Sequence, residues 1–321
     1  PRFTVAAMEP PDSPAIARIE RGLGAPGLAR RLAHDLRRTD LATLLLDVFA
    51  RRIRTLTPTA LLERYRSDAF VEPAPGDPLA RLDFERAAFA AAAAFVPLDL
   101  SPLAPLGACS TVAPVSPNLV EHTTRGREVV SDPSNVLALE AAHRRAAAIT
   151  RDGKRAAPVA LCTSHRVVRT PPAQGPGLLQ HFRIFALLSS GRARAGIDFE
   201  LDALRAHLQV HLALLRHVGI PHARLTLHDR SGRHADALAA HVIEPLASDH
   251  ALSAHVQADR DGAHSYYPGL SFSLDHGETG QNLADGGGVD WTAQLLANRR
   301  ERCIISGCGV DRLLTESPSS T

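Results

Sequence analysis

The spacing of apolar residues in the first 80 positions is helical. They recur at intervals of three and four residues: Leu41, Leu44, Leu45, Val48, Phe49 and Ile53. This pattern predicts a helix whose N-cap is Thr39 or Asp40. Thr57 and Pro58 are typical of an N-cap and a first helical position, and they predict a short helix over residues 61–65. Proline and glycine interrupt the pattern at residues 73–78, which predicts a helical N-terminal extension over residues 1–78.

From residue 79 onwards the pattern changes to mixed helix and strand. An alanine-rich helix is predicted at residues 82–95, and further helices at 133–148, 199–217, 234–243 and 290–300. Apolar and alternating segments predict strands at 159–169, 182–189, 223–228, 252–257, 270–274 and 303–306. Several strands follow one another without an intervening helix. The pattern therefore predicts an α+β domain at residues 79–315, an antiparallel sheet flanked by helices, and a disordered tail at 316–321.

Composition narrows the functional classes. The net charge of +2 provides no overall attraction for nucleic acid, and a single lysine, Lys154, among many arginines indicates a compositional bias. The longest apolar run, residues 87–96, is about half of the roughly 20 residues that a membrane helix needs, so no membrane association is expected. Residues 1–14 lack the basic and then apolar segments of a signal peptide. The four cysteines are too few and too scattered to predict a disulfide framework. These features predict a cytoplasmic protein.

Residues 306–314, with the sequence SGCGVDRLL, follow an apolar strand. The pattern predicts a glycine-flanked turn and a helix that begins at Val310. Gly307 and Gly309 would let a ligand approach the backbone closely, and Arg312 on the first helical turn could meet a phosphate or stack on a base. The alternative is a purely structural strand-to-helix junction.

Residues 163–192 predict a long hairpin whose loop covers residues 170–177. Arg166 lies near the end of the first strand, and Phe182 begins the second. A guanidinium for phosphate and a ring for a base together favour nucleotide binding. A plain hairpin with solvated arginines is the alternative.

Two further segments, 264–274 and 283–291, contain Tyr266 and Tyr267 and a run of three glycines before Asp290. Consecutive glycines suggest backbone packed tightly beneath a pocket, and Asp290 is suited to cap a helix. A flexible turn followed by a capped helix is the alternative. His207 and His211 have a spacing that could bind a metal, but no third ligand is evident, and we expect no metal site.

Together, and in this order, these segments resemble the catalytic core of class II aminoacyl-tRNA synthetases, the histidyl type in particular. HRVVR (165–169) and His181-Phe182 take the places of motif 2, and GCGVDR (307–312) resembles motif 3. GAHSYYPG (262–269) and GGGVD (286–290) resemble the histidyl signatures Arg-Gly-Leu-Asp-Tyr-Tyr-Thr-Gly and Gly-Gly-Arg-Tyr-Asp. Residues 127–142 take the place of the Leu-Arg-Pro-Glu-Gly-Thr segment. Residues 82–102 resemble motif 1, which implies a homodimer.

The resemblance implies a role for each matching residue. Arg166 would contact the α-phosphate of ATP, Phe182 would stack on adenine, and Arg312 would cover the other face of the base or reach the γ-phosphate. Arg166 and Arg312 would thus be catalytic, with Gly307 and Gly309 beside the nucleotide and Mg²⁺ accompanying it. The resemblance also implies a set of substrate-binding residues: Asp132, Ser134, Tyr266, Tyr267, Gly287 and Asp290.

The sequence departs from the histidyl pattern at several charged positions. The motif 2 glutamate is Val168, and Ser134, Gly288 and Val289 replace other charged or polar residues. We therefore expect a pocket that rejects free histidine, unless Asp132 or Asp290 turns inward. No anticodon-binding domain follows motif 3 in this chain, so charging of tRNA with histidine is not expected.

Two functions are compatible with this pattern. One is an ATP-dependent adenylate-forming ligase that acts on a small amino or carboxylic acid without charging tRNA. The other is a non-catalytic, ligand-binding paralogue with a protein partner, resembling the regulatory subunit of ATP phosphoribosyltransferase. The retained arginines and Phe182 favour the first, and the lost acidic groups favour the second.

Overall fold

The computed structural model describes residues 13–113, 115–170, 179–247, 252–258 and 266–316. The chain divides into two compact units. The first comprises Pro1–Leu62 with Thr124–Gly126, and the second comprises Glu63–Thr123 with Arg127–Thr321. The predicted tail beyond Glu316 lies outside the described residues.

The first unit is helical. Its helices are α1 (Pro14–Leu23), α2 (Leu28–His34) and α3 (Arg38–Ile53), and α4 (Pro58–Ser67) begins in it. Thr57 caps α4 as predicted, since its hydroxyl accepts from the Ala60 N–H at 3.2 Å. The predicted cap of α3 is wrong: the helix already begins at Arg38, and Asp40 lies inside its first turn, where a carboxylate complements the helix dipole.

The second unit is an α+β domain. Its helices are α5 (Pro78–Ala91), α6 (Ala108–Val112), α7 (Pro133–Asp152), α8 (Asp198–His217), α9 (Ala235–Leu238), α10 (Glu244–Ala247), α11 (Trp291–Leu295) and α12 (Val310–Thr315). Its strands are β1 (Val96–Pro97), β2 (Leu103–Pro105), β3 (His122–Thr123), β4 (Arg127–Val129), β5 (Val159–Val168), β6 (His181–Arg192), β7 (Ala223–Asp229), β8 (Leu252–Gln257), β9 (Leu270–His276), β10 (Asn282–Val289) and β11 (Glu301–Gly309).

Eight strands form one sheet in the order β1-β5-β6-β11-β10-β9-β7-β8, and β2, β4 and β3 form a second, small sheet. The large sheet is antiparallel from β5 to β7, which confirms the predicted architecture. Its two edges depart from it, because β1 pairs with β5 and β8 pairs with β7 in parallel.

Helices cover both faces of the large sheet. On one face, Leu137 and Ala141 of α7 pack in a cluster with Leu161, Leu188 and Ile305. On the other face, α5 and α8 contribute a second cluster that includes Phe84, Leu204, Phe185 and Phe272. Because neighbouring residues of a strand point to opposite faces, the strands β5, β6 and β11 supply both clusters.

The glycine triplet lies inside the central strand β10 and is packed tightly as predicted, because a Cβ on Gly286 would come within 2.6 Å of the Ile305 carbonyl oxygen and of the Phe272 ring. Some predicted helices have different bounds in the structure. The helix predicted over 290–300 ends at Leu295, because Ala297 turns into the left-handed region with a φ of 49°. Helix α5 begins four residues early, at Pro78, where the Asp77 carboxylate accepts from the Leu79 N–H at 2.8 Å.

Helices that could cross a bilayer are absent from the described part of the chain, since none is both long and apolar enough.

Candidate functional site

A cleft of about 1790 Å³ opens on the α7 face of the large sheet, entirely within the second unit. Its floor is formed by alternate residues of two adjacent strands, which lie on the same face of the sheet: Phe182, Ile184 and Ala186 on β6, and Gly307 and Gly309 on β11. The glycines keep this floor free of side chains. Both lie within β11, which runs to Gly309, so the glycine-flanked turn predicted before α12 is wrong.

One end of the cleft presents an aromatic ring and two arginines. The guanidinium carbon of Arg169 lies 5.2 Å from the centroid of the Phe182 ring, a cation–π distance. Arg312, on the first turn of α12, donates to the Asn282 carbonyl oxygen at 2.9 Å. The Asn282 amide in turn donates to Asp275 at 3.1 Å. This end can therefore hold a planar base and a polyanion.

Arg166 does not line the cleft, so the prediction that it shares a cavity with Arg312 is wrong. In the β5–β6 ladder Arg166 pairs with Arg183, whereas Val167 pairs with Phe182. Arg166 thus lies on the opposite face from Phe182. Its guanidinium contacts the His181 imidazole at 3.1 Å and lies 3.9 Å from Asp311.

Asp311 fixes the position of α12. Its carboxylate accepts from the Arg183 N–H at 2.6 Å and pairs with Arg81 of α5 at 3.2 Å. Both side chains of the Arg81–Asp311 pair are largely buried. Because Arg312 follows Asp311 directly, this anchorage also orients Arg312.

The region of the cleft next to Arg169 is acidic. Asp132 caps α7, since its carboxylate accepts from the N–H and the hydroxyl of Ser134 at 2.9 and 2.6 Å. The same carboxylate accepts from the Tyr266 hydroxyl at 3.3 Å and lies 3.6 Å from Arg169. Asp132 therefore turns inward, and this removes the ground on which rejection of free histidine was expected.

Asp285 is a second carboxylate in this region. It accepts from the Tyr267 hydroxyl at 2.7 Å, and on β10 it pairs with Gly307 and Ser273 of the neighbouring strands. Burial raises the pKa of both tyrosines, and the nearby carboxylates Asp132 and Asp285 raise them further. The two hydroxyls therefore remain donors at neutral pH.

Most of the residues predicted for the site come together. The cleft is lined by eight of them: Asp132, Ser134, Phe182, Tyr266, Tyr267, Gly307, Gly309 and Arg312. Gly287 lies beneath Tyr267, where a Cβ would come within 2.8 Å of the ring. Asp290 is exposed at the start of α11 and does not line the cleft. Most of the predicted 170–177 loop and the predicted motif residues 262–265 lie outside the described residues.

His207 and His211 are buried, and their side chains are hydrogen-bonded. The Ser306 hydroxyl lies 2.8 Å from His207 Nδ1 and 2.9 Å from His211 Nε2, and Ser189 lies 3.0 Å from His207 Nε2. Across the described residues, no group of three or more His, Cys, Asp or Glu side chains could hold a metal ion. The pair belongs to a hydrogen-bonded network behind β11.

The second unit has the fold of the class II aminoacyl-tRNA synthetase catalytic core. Among solved structures, an ATP phosphoribosyltransferase regulatory subunit/histidyl-tRNA synthetase from Bacillus halodurans C is similar with a TM-score of 0.59 and 12% identity, over 77% of this chain and 81% of that one. A histidine–tRNA ligase subunit from Alicyclobacillus acidocaldarius is similar with a TM-score of 0.54 and 15% identity, over 75% of this chain and 94% of that one. Histidyl-tRNA synthetase from S. aureus is similar with a TM-score of 0.55 and 13% identity, over 77% of this chain and 68% of that one. No protein-family model and no curated protein matches the sequence.

Proposed function

We propose that this protein binds ATP and adenylates a small amino or carboxylic acid. The observation that carries the proposal is one cleft with two chemically distinct regions that meet at Arg169. Phe182, Arg169 and Arg312 suit a nucleotide, and Asp132 beside Arg169 suits the ammonium and carboxylate of an amino acid.

The proposed step is a displacement at the α-phosphorus. A carboxylate oxygen of the acid forms a bond to this phosphorus, the bond to the bridging oxygen of the β-phosphate breaks, and pyrophosphate leaves with the electron pair. Arg169 would offset the negative charge that develops on the α-phosphate oxygens, and Arg312 would hold the base or the terminal phosphate.

Magnesium would accompany the phosphates of ATP. Magnesium bound to a nucleotide keeps several waters and takes only one or two carboxylates from the protein. Asp275, which lines the cleft and contacts Asn282 beside Arg312, is suited to supply one such oxygen.

Pyrophosphate exchange into ATP tests the proposal. Each of the 20 standard amino acids and a set of short carboxylic acids is offered to the protein with ATP, Mg²⁺ and labelled pyrophosphate. We expect exchange that depends on one class of acid, is abolished by Arg312→Ala and persists in Arg216→Ala, which removes an exposed arginine of α8. Absence of exchange with every acid would overturn the adenylating function.

A regulatory subunit is the second candidate function. The uncharged Val168 and Gly288 favour it, because they leave fewer charged groups than an adenylating site of the histidyl type would use. Calorimetric binding of an amino acid without any exchange would support this candidate. Its partner would be another protein, and tRNA is not part of either proposal.

We further propose a cytoplasmic homodimer. Four free, buried thiols are compatible with a reducing compartment. Leu79, Leu82 and Val96 expose large apolar side chains on α5 and β1, the segment proposed to meet the second copy. Light scattering should give twice the chain mass of 34.3 kDa, and Leu82→Asp should reduce it to one chain. A single-chain mass for the unaltered protein would contradict the proposal.

A further inference from the structure

Arg81, on the first turn of α5, joins two walls of the cleft beside the proposed nucleotide region. Its Nη2 donates to the Pro75 carbonyl oxygen at 3.1 Å and to the Asp311 carboxylate at 3.2 Å. Pro75 and the residues that follow it line one wall, and α12, which carries Asp311, lines the other. Because one nitrogen makes both contacts, the separation of the two walls depends on this single side chain.

The position of Arg81 carries a cost in stability. The Arg81 side chain is only 13% exposed, and its Nε is buried without a hydrogen-bond partner in the described part of the chain. An unsatisfied donor on a charged group is expensive to bury. A buried polar atom of this kind calls for an explanation beyond stability, and the two walls that Arg81 joins provide one.

The rotation of α12 about its own axis depends on Asp311. The helix has six residues, and its buried residues Val310 and Leu313 are three positions apart, so they face the core together. Asp311 lies on another face of the helix, where Arg81 holds its carboxylate. Arg312 follows directly, so a shift of Asp311 moves the base of the Arg312 side chain with it.

Loss of Arg81 should shift α12 without unfolding the domain. The Asp311 carboxylate would keep the Arg183 N–H at 2.6 Å and the Arg166 guanidinium at 3.9 Å. Both partners belong to the β5–β6 hairpin, and neither belongs to α5. The carboxylate therefore stays partnered, while the contact between α12 and the wall at Pro75 is lost.

We infer that Arg81 is a positioning residue for nucleotide binding, which acts through Asp311 on Arg312. This inference rests on the proposed binding of ATP and adds a residue that lies outside the segments resembling motifs 2 and 3. Arg81 also borders the cleft, so direct contact with the nucleotide is the alternative that the test has to separate.

A double-substitution cycle with ATP provides the test. Calorimetry without any acid compares the wild type, Arg81→Met, Arg312→Ala and the double variant. We expect Arg81→Met to weaken ATP binding by roughly 3- to 30-fold in the wild type, as coupled residues of one network do. In the Arg312→Ala background the same change should cost less than about twofold, because the residue that it positions is gone.

Two further variants serve as controls for the cycle. Arg81→Lys should bind ATP within about threefold of the wild type, because one ammonium group can make both contacts that Nη2 makes. Arg86→Met removes an exposed arginine of the same helix and should bind ATP like the wild type.

Amide hydrogen exchange without ligand gives a readout that does not depend on ATP. Local opening of α12 determines how fast its amides exchange. We expect faster exchange across residues 310–316 in Arg81→Met, and wild-type exchange in Arg81→Lys and Arg86→Met. Mass spectrometry of the peptides that cover α12 measures the rates.

The outcomes separate this inference from the proposed function. Wild-type ATP affinity in Arg81→Met overturns the inference and leaves the proposed function standing. An additive loss in the double variant also overturns it, because Arg81 would then contact the nucleotide itself. Unchanged hydrogen exchange at α12 in Arg81→Met has the same consequence. ATP binding without pyrophosphate exchange overturns adenylation and leaves the role of Arg81 intact.

Discussion

The guanidinium of Arg169 lies over Phe182 in the cleft, while that of Arg166 lies on the other face of the same hairpin. The Arg169 N–H still bonds to the Gln180 carbonyl at 3.1 Å, so the ladder continues one residue past β5 and preserves the alternation. Arg169 therefore lies on the same face of the sheet as Phe182. We therefore propose Arg169, in place of Arg166, for the α-phosphate role that the motif resemblance gave to Arg166.

Substitution of these two arginines should affect ATP binding unequally. Arg169→Ala should lower the affinity by about 1.5–3 kcal/mol, or roughly 10- to 150-fold, because a charge-assisted contact is lost. Arg166→Ala should change the affinity by less than about threefold. Calorimetric titration with ATP measures both values, and a larger loss for Arg166→Ala would restore the original assignment.

Residue types and their order predicted much of the site, but they did not predict on which face of the sheet each residue lies. Tyr266, Tyr267, Phe182 and Arg312 carry side chains that are informative in themselves. Asp285 was missed because it precedes the glycine triplet, whose strand conformation is determined by the neighbouring strands and not by glycine propensity.

At the scale of elements, the segments with strong local signals were predicted well. Strand β8 has the predicted bounds, and α7 begins at Pro133 behind Asp132. Helix α9 runs into a π-helical turn at Ala239–Ile243, and the next helix contains Pro245, which has no N–H to donate. Such irregular turns, like the early end of α11, cannot be predicted from the spacing of apolar residues along the sequence.

A buried ion pair joins α7 to β11. Arg145 donates to both oxygens of Glu301, at 2.8 and 2.9 Å, and also to the carbonyl oxygens of Ala156 and Ala157. Both side chains are only 1% exposed. This pair therefore positions the strand that carries the glycine floor of the cleft against the helix that carries Asp132.

Removal of one partner should be costly, because the remaining charge stays buried. Glu301→Gln should lower the free energy of unfolding by about 3–5 kcal/mol. The half-exposed pair Glu140–Arg144 on the same helix is the matched control, and Glu140→Gln should cost about 0–1 kcal/mol. Urea unfolding followed by circular dichroism gives both values, and equal costs would show that burial does not distinguish the pairs.

At the scale of the whole molecule, the strand order depends on contacts between distant parts of the sequence. Strand β11 pairs with β6, and β7 pairs with β9, across long stretches of intervening chain. Alternation of residues predicts that strands exist but not which strands become neighbours. The resemblance to class II synthetases implied this arrangement, and the similar solved structures confirm the fold.

The histidine pair behind the sheet links stability to pH. Burial lowers the pKa of His211 to about 4 and that of His207 well below its usual range, where the neighbouring His211 lowers it further. The unfolded chain takes up protons near pH 6.5, but the folded protein does not until about pH 4. The contribution of the pair is therefore complete above pH 6.5 and is lost as the pH falls towards 4.

Between pH 6.5 and pH 5, the free energy of unfolding should fall by about 2 kcal/mol from His211 alone, at roughly 1.4 kcal/mol for each unit of pH. His207 adds to this slope. Urea unfolding of the wild type at a series of pH values measures the slope, and the double substitution His207→Gln and His211→Gln should flatten it. His143→Gln, at an exposed position of α7, should leave the slope unchanged. An unaltered slope in the double variant would mean that the acid sensitivity arises from other groups and not from the network around Ser306.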